Sequence, residues 1–329
     1  MKRFLSMNSC IILFGSHSLF AQNESYGTPI TGLPVIEMTT GQLMEHWMPI
    51  VSAELKRRNI GLGLKEPNRE NLPQAPGAQE LSQWPPAELK KENGSEQILA
   101  PQALGINFTG ATLAEAGAFP PDVMGAAGPT QYLVFINGIL RSFSKTTGLA
   151  DGVLNIDPDI FFGTITTPPG TNEVTYTTDP NVRYDRLSGR WFLTIIDMTL
   201  STISPYPITK SNRLLFAISD GPIITSSTIW RLIYYQNTSN FDDYPSLGID
   251  ADGLYIGSNR FTVAGSFVNC RGYVFNKASF ISGSPTGTIF DNLLFSNAGP
   301  FSPRGVDNPD PLNTGVSAVG YFIGVDNAT

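Results

Sequence analysis

The chain has 329 residues, 41% of them apolar, which supports a packed core and argues against wholesale disorder. Charged residues make up 15%, against roughly 25% in an average soluble protein, while Gly (32) and Pro (25) favour turns over long helices. A net charge of −7 without a basic cluster argues against nucleic-acid binding; of the two histidines (His17, His46) and two cysteines (Cys10, Cys270), His17 and Cys10 lie in the first twenty residues, and with that segment removed the one His and one Cys left exclude zinc sites built on several such ligands.

Met1-Lys2-Arg3 is positive, Cys10 to Phe14 is apolar, and Leu19-Phe20-Ala21 precedes polar Gln22-Asn23-Glu24. This pattern predicts a secretory signal over 1–21, cut after Ala21, and therefore a secreted, periplasmic or cell-surface protein. No other run approaches the roughly 18 apolar residues that cross a bilayer. Residues 22–104 read as an N-terminal arm. Within it Leu43, Trp47, Val51 and Leu55 share one face of a helix over 41–59, with Thr39 or Thr40 as its cap and Pro49 as a kink. His46 reads as an ordinary surface residue of that helix. Residues 61–100 are polar and Pro-rich, as in a linker or a propeptide-like arm, with Trp84 as the one large anchor.

Residues 105–329 carry an internal repeat. Tyr132, Trp191, Tyr255 and Tyr321 open similar apolar segments 59, 64 and 66 residues apart. Pro121, Pro180, Pro245 and Pro311 precede them by 11, 11, 10 and 10 residues, each beside an aspartate: Asp122, Asp179, Asp243 and Asp310. The second repeat reads as four strands, Asn181–Tyr184, Arg190–Ile196, Arg213–Ile218 and Ile229–Tyr235. The third follows with Ser246–Ile249, a strand from Leu254, Tyr273–Phe275 and Ile289–Phe295. The second strands are apolar almost without alternation, so both faces of each sheet must be covered. Four-stranded sheets packed face to face around an axis satisfy that without helices. The expected fold is therefore all-β, a partial β-propeller of about three and a half four-stranded blades. A β-sandwich is the alternative. The fourth repeat reaches Thr329 soon after Tyr321, so the chain is expected to be the front of a longer propeller, or to self-associate through open blade faces.

The segments Phe119-Pro120-Pro121-Asp122-Val123-Met124-Gly125, Asp179-Pro180-Asn181-Val182-Arg183-Tyr184-Asp185, Asp242-Asp243-Tyr244-Pro245-Ser246-Leu247-Gly248 and Gly320-Tyr321-Phe322 resemble those of a group of large secreted bacterial β-propeller proteins of largely uncharacterised function. The resemblance covers roughly residues 105–329. It implies fold and export, and it brings no catalytic residue.

No phosphate loop, HExxH or GxSxG motif occurs. The recurring aspartates read as turn residues, since a catalytic residue is normally unique while a turn residue repeats with the fold. The non-repeated Asp242 is the one weak catalytic candidate. Asp250 and Asp252 place oxygen ligands for Ca²⁺ in a turn that is first of all a hairpin. The segments Asp197–Asn212 and Asn259–Arg271 read as long loops, with Tyr206, Arg260 and Phe267 as candidate binding residues. The resulting expectation is an exported binding module for an extracellular glycan or protein. The alternatives are a carboxylate-dependent polysaccharide hydrolase and a non-functional remnant of a longer propeller protein.

Overall fold

The computed structural model describes residues 10–12, 27–45, 105–291, 293, 301–315 and 318–325. Most of the expected signal, His46 with the rest of the helix expected to run to 59, and the Pro-rich stretch with Trp84 lie outside these. The architecture is all-β and mostly antiparallel, in four sheets.

Three strands come from the first forty residues: β1 (Cys10–Ile12), β2 (Thr28–Thr31) and β3 (Val35–Thr39). Sheet I is β4 (Met124–Ala127), β5 (Gln131–Ile136), β6 (Ile139–Ser144) and β7 (Ala150–Ile156), in that order. Sheet II runs β8 (Glu173–Asp185), β9 (Arg190–Ser201), β10 (Arg213–Ser219) and β11 (Ile229–Gln236), with β3 added outside β11. Sheet III runs β12 (Asn240–Ile249), β13 (Gly253–Thr262), β14 (Phe267–Asn276) and β15 (Thr286–Asp291), with β2 outside β15. Sheet IV is β16 (Phe301–Gly305) and β17 (Gly320–Val325), with β1 parallel to β17. The helices are short: α1 (Thr40–Glu45), α2 (Leu113–Ala116), α3 (Pro158–Phe161) and α4 (Lys277–Ser282). None of the described helices is long and apolar enough to cross a membrane.

The unbroken apolarity of the second strands has its expected cause. Trp191, Leu193 and Ile195 of β9 pack with Leu133, Phe135 and Leu140 of sheet I. Phe192, Ile196 and Met198, on the other face, pack with Leu254, Ile256 and Tyr273 of sheet III. Successive side chains point to opposite faces, so a strand buried on both sides has no polar position to spare. The outer face of sheet I is closed by the chain that precedes it: Phe108, Ala111 and Ala116 cover Val134, Ile136 and Phe143. The first strands touch in chain order, β4 against β8, β8 against β12, and β12 against β16.

Tyr132, Trp191, Tyr255 and Tyr321 all lie on the second strand of their sheets. A glycine sits under three of these rings. An added Cβ at Gly125 would fall 2.2 Å from the Tyr132 hydroxyl, at Gly128 2.2 Å from Trp191 Cζ2, and at Gly320 2.1 Å from the Tyr255 ring.

The marker before each ring differs from the one the spacing suggests. Asp122, Asp179, Tyr244 and Ser302 are left-handed, at φ of 43°, 58°, 51° and 52°. After the last three comes a proline, and there the strand carries one residue more than its partner, between Thr178 and Asn181, Asp243 and Ser246, and Phe301 and Arg304. The fourth proline of the series is therefore Pro303. Pro311 and Asp310 lie in the connection from β16 to β17, where Asp310 accepts the amide of Leu312 at 2.8 Å. Nor are Asp197–Asn212 and Asn259–Arg271 loops throughout: Asp197–Ser201 continues β9, and β13 and β14 leave only residues 263–266 between them.

Thr39 caps α1. Its hydroxyl accepts the amide of Gln42 at 3.1 Å while Gln42 Oε1 accepts the amide of Thr39 at 2.8 Å.

Candidate functional site

The left-handed residues and their bulges place one side-chain cluster where sheets I, II and III meet. Asp122, Asp179 and Asp243 come from three successive sheets and are all half-buried. Asn137, just beyond β5, ties the first two. Its Nδ2 donates to Asp122 Oδ2 at 2.6 Å and to Pro120 O at 2.9 Å, and its Oδ1 accepts the amide of Asp179 at 3.1 Å. Asp179 Oδ2 in turn accepts the amide of Tyr244 at 3.1 Å, and Oδ1 takes the hydroxyl of Thr178 at 3.3 Å. Among the described residues, none of the three carboxylates is in an ion pair with a lysine or arginine.

Like charges in partial burial resist ionisation. Burial, followed by the charges of Asp243 and Asp122, holds Asp179 well above the usual carboxylate range. Asp243 is pushed up to about 7, first by burial and then by Asp122 and Asp242, against hydrogen bonds from Asp179 and Tyr244 that favour its charge. The cluster therefore resists full ionisation. Around it the surface is apolar and aromatic: Val123 is 70% exposed, Phe119 61% and Tyr244 39%. The Arg304 guanidinium lies 4.7 Å over the Tyr244 ring and donates to its hydroxyl at 2.6 Å.

Asp242 belongs elsewhere. It is 1% exposed and sits in a closed polar network. Its Oδ2 accepts from Ser258 Oγ at 3.1 Å and from the Tyr273 hydroxyl, and its Oδ1 lies 3.5 Å from Arg260 Nε. Arg260 Nη1 and Arg271 Nε both reach Asp291 Oδ1 at 2.7 Å. Burial raises the Asp242 carboxyl despite Arg271, Tyr273 and Arg260. This arrangement supports strands; it offers no approach to a substrate.

The sequence candidates for binding are not brought together. Arg260 is a buried strand residue of the network just described. Phe267 opens β14 and packs between Phe261 and Phe301, at ring distances of 5.6 and 5.7 Å. Tyr206 is left-handed at φ 61° in the turn after Pro205, half-buried, with its amide on Ile203 O at 2.9 Å. Asp250 Oδ1 accepts the amides of Asp252 and Gly253 at 2.9 and 2.6 Å, and its Oδ2 takes the Tyr255 hydroxyl at 2.7 Å. Asp252 takes the Thr314 hydroxyl at 2.9 Å and the amide of Gly315 at 2.7 Å. Both carboxylates thus serve turns, and among the described residues no group of three acidic, His or Cys side chains has the arrangement of a metal site.

The three-acid cluster escapes sequence reasoning because repetition marks those aspartates as turn residues. The signal that finds it is that turn residues of successive sheets face one another. No protein-family model, curated protein or solved structure matches the chain.

Proposed function

We propose that residues 105–329 are consecutive blades of a β-propeller in an exported protein resembling the large secreted bacterial propellers, and that this propeller binds an extracellular glycan or protein at the bulged end of its axis. The propeller reading is supported by first strands that touch in chain order, by sheets buried on both faces, and by one bulge recurring in three of the four sheets. The binding reading rests on a single observation: three half-buried carboxylates from three sheets lie together, and among the described residues none of them is in an ion pair with a lysine or arginine. Such an arrangement costs stability, and acids perturbed in this way cluster at functional sites. Carboxylate and amide oxygens beside Tyr244, Val123 and Phe119 suit a polyhydroxyl ring, which offers hydroxyls to the acids and C–H faces to the aromatic surface.

The hydrolase alternative has less support. Asp242, the acid that reading would use, is closed off. A glycan array and a pull-down against surface extracts test the proposal with the whole chain. Binding should fall about tenfold or more in Tyr244→Ala and in Asp179→Asn. Absence of binding in the parent chain, or binding indifferent to both substitutions, would falsify it.

A further inference from the structure

β11 and β15 are the outermost strands of the repeat units of sheets II and III, and alone each would present an open row of amides and carbonyls. One piece of chain closes both. Thr28–Thr31 pairs antiparallel with β15, Thr28 opposite Ile289 and Thr31 opposite Thr286. Gly32, at φ 69°, begins the turn, and Val35–Thr39 then pairs antiparallel with β11, Val35 opposite Ile233 and Thr39 opposite Ile229. α1 follows and sinks Leu43, fully buried, into the core shared by sheets I and II with Trp230 and Leu232.

Side chains specify this register. Glu37 pairs with Arg231 at 2.7 Å. Trp230 Nε1 donates to Thr40 Oγ1 at 3.0 Å, and the amides of Thr40 and Gly41 donate to Thr228 O and Ser226 O at 2.9 and 2.8 Å. Residues 46 to 104 intervene before the first described residue of the sheet domain, and Glu37 and Arg231 are 194 positions apart in sequence. Every described contact that holds the piece in place is non-covalent, and together they have the form of strand addition: main-chain pairing along an edge, with Ile30 and Leu43 as buried apolar anchors and one ion pair for specificity.

The geometry points to a strand-acceptor surface, formed by the outer edges of β11 and β15 and the Leu43 pocket, that recognises the segment 27–45 as a separable ligand, so that the same segment supplied on another molecule occupies it equally. This inference is independent of the ligand proposed for the axial site. When the surface is empty, two edges of the domain are open at once.

Hydrogen exchange on the full chain tests it. Leu43→Asp should lower protection of the Ile229–Gln236 and Thr286–Asp291 amides at least tenfold, and a synthetic peptide of residues 27–45 should restore it. The same peptide carrying Leu43→Asp should not. Unchanged protection in the variant, or failure of the parent peptide to restore it, overturns the inference. Should Leu43→Asp fail to fold, Thr40→Val removes the hydroxyl that accepts from Trp230 Nε1 and donates to Thr228 O, and is read in the same way, with the same two outcomes.

Discussion

Ser302 donates its amide to Asn259 Oδ1 at 2.7 Å and accepts Nδ2 of the same asparagine on its hydroxyl at 3.0 Å. Between sheets I and II, Asn137 Oδ1 holds the amide of Asp179 at 3.1 Å in the corresponding place. In both pairs an asparagine on or just past a second strand takes the amide of a left-handed residue in the next sheet. A second bond recurs beside it. Asn181 Nδ2 donates to Pro245 O at 2.8 Å, and Ser246 Oγ donates to Pro303 O at 3.0 Å. The bulges are thus one set of places where successive sheets are hydrogen-bonded to one another, beside the bonds of Gln131 with Ile224, of Asn212 with Asp242 and of Lys277 with Asp185.

Asn259→Ala removes both bonds to Ser302 in a position that is 2% exposed. The Ser302 amide loses its acceptor, and a buried unpaired amide costs about 1–3 kcal/mol. Urea denaturation of the full chain should show a midpoint lowered accordingly, with Asn259→Asp recovering part of the loss because it keeps the acceptor. An unchanged midpoint in Asn259→Ala would mean that the sheet junction does not depend on this bond.

Gly128 and Gly320 are set by the rings above them. A methyl at either position meets Trp191 or Tyr255 well inside contact distance. Overpacking of this kind costs about 1–3 kcal/mol. Gly128→Ala should destabilise, and Gly128→Ala with Trp191→Leu should destabilise by less than the sum of the two single changes. Strict additivity would show that the ring is not what excludes the methyl.

Much of this architecture is legible in the chain. Trp191 to Ile196 could be assigned to a sheet covered on both faces because no polar residue interrupts the apolar ones except Thr194, whose hydroxyl is satisfied by Leu215 O at 3.0 Å. The fourth repeat is harder. Its true marker, Ser302-Pro303, lacks an aspartate and is separated from Tyr321 by a longer connection, whereas Asp310-Pro311 imitates the expected spacing. Left-handed backbone at Asp122, Asp179, Tyr244 and Ser302 has no common side chain to announce it. Ser258-Asn259-Arg260 looks like the start of a loop because it is polar, yet it is strand, its polarity matched by Asp242, Ser302 and Asp291. The strands Thr28–Thr31 and Val35–Thr39 are short and lie on outer edges, where the demand for apolar residues is weakest.

Asp242→Asn separates a structural acid from a catalytic one. The amide would turn a donor towards Arg260 or withdraw an acceptor from Ser258 and Tyr273. Because burial already raises the carboxyl, the loss should fall short of the roughly 3–5 kcal/mol of a fully broken buried pair and come to about 1–3 kcal/mol. Denaturation measures the stability, and assays on soluble polysaccharides measure hydrolysis. Parental stability together with loss of a hydrolytic activity present in the parent chain would restore the enzyme reading.

The acid cluster sets a pH dependence of definite sign. A carboxyl whose folded value lies above its unfolded one binds more protons in the folded state. Its contribution is intact below the unfolded value near 3.8 and is lost as pH rises through the folded value, about 7 for Asp243. Buried Asp197, raised to about 6, acts in the same direction. Asp185 acts oppositely: against the cost of its burial, Lys277 and Ser188 hold it below the usual carboxylate range, so its stabilisation disappears as pH falls through that depressed value, outside this window. Asp243→Asn deletes one raised group and leaves an amide that can donate to Asp179. The variant should therefore match the parent near pH 4 and gain on it steadily to pH 8. A tenfold difference in proton affinity between the folded and unfolded chain is worth about 1.4 kcal/mol, and partial exposure of the site reduces the full effect to an expected gain of about 1–2 kcal/mol. Urea midpoints at pH 4, 6 and 8 measure it. A variant that loses ground to the parent as pH rises would show that Asp243 is stabilised as an anion, by a cation or donor, and the reading of three mutually repelling carboxylates would be abandoned.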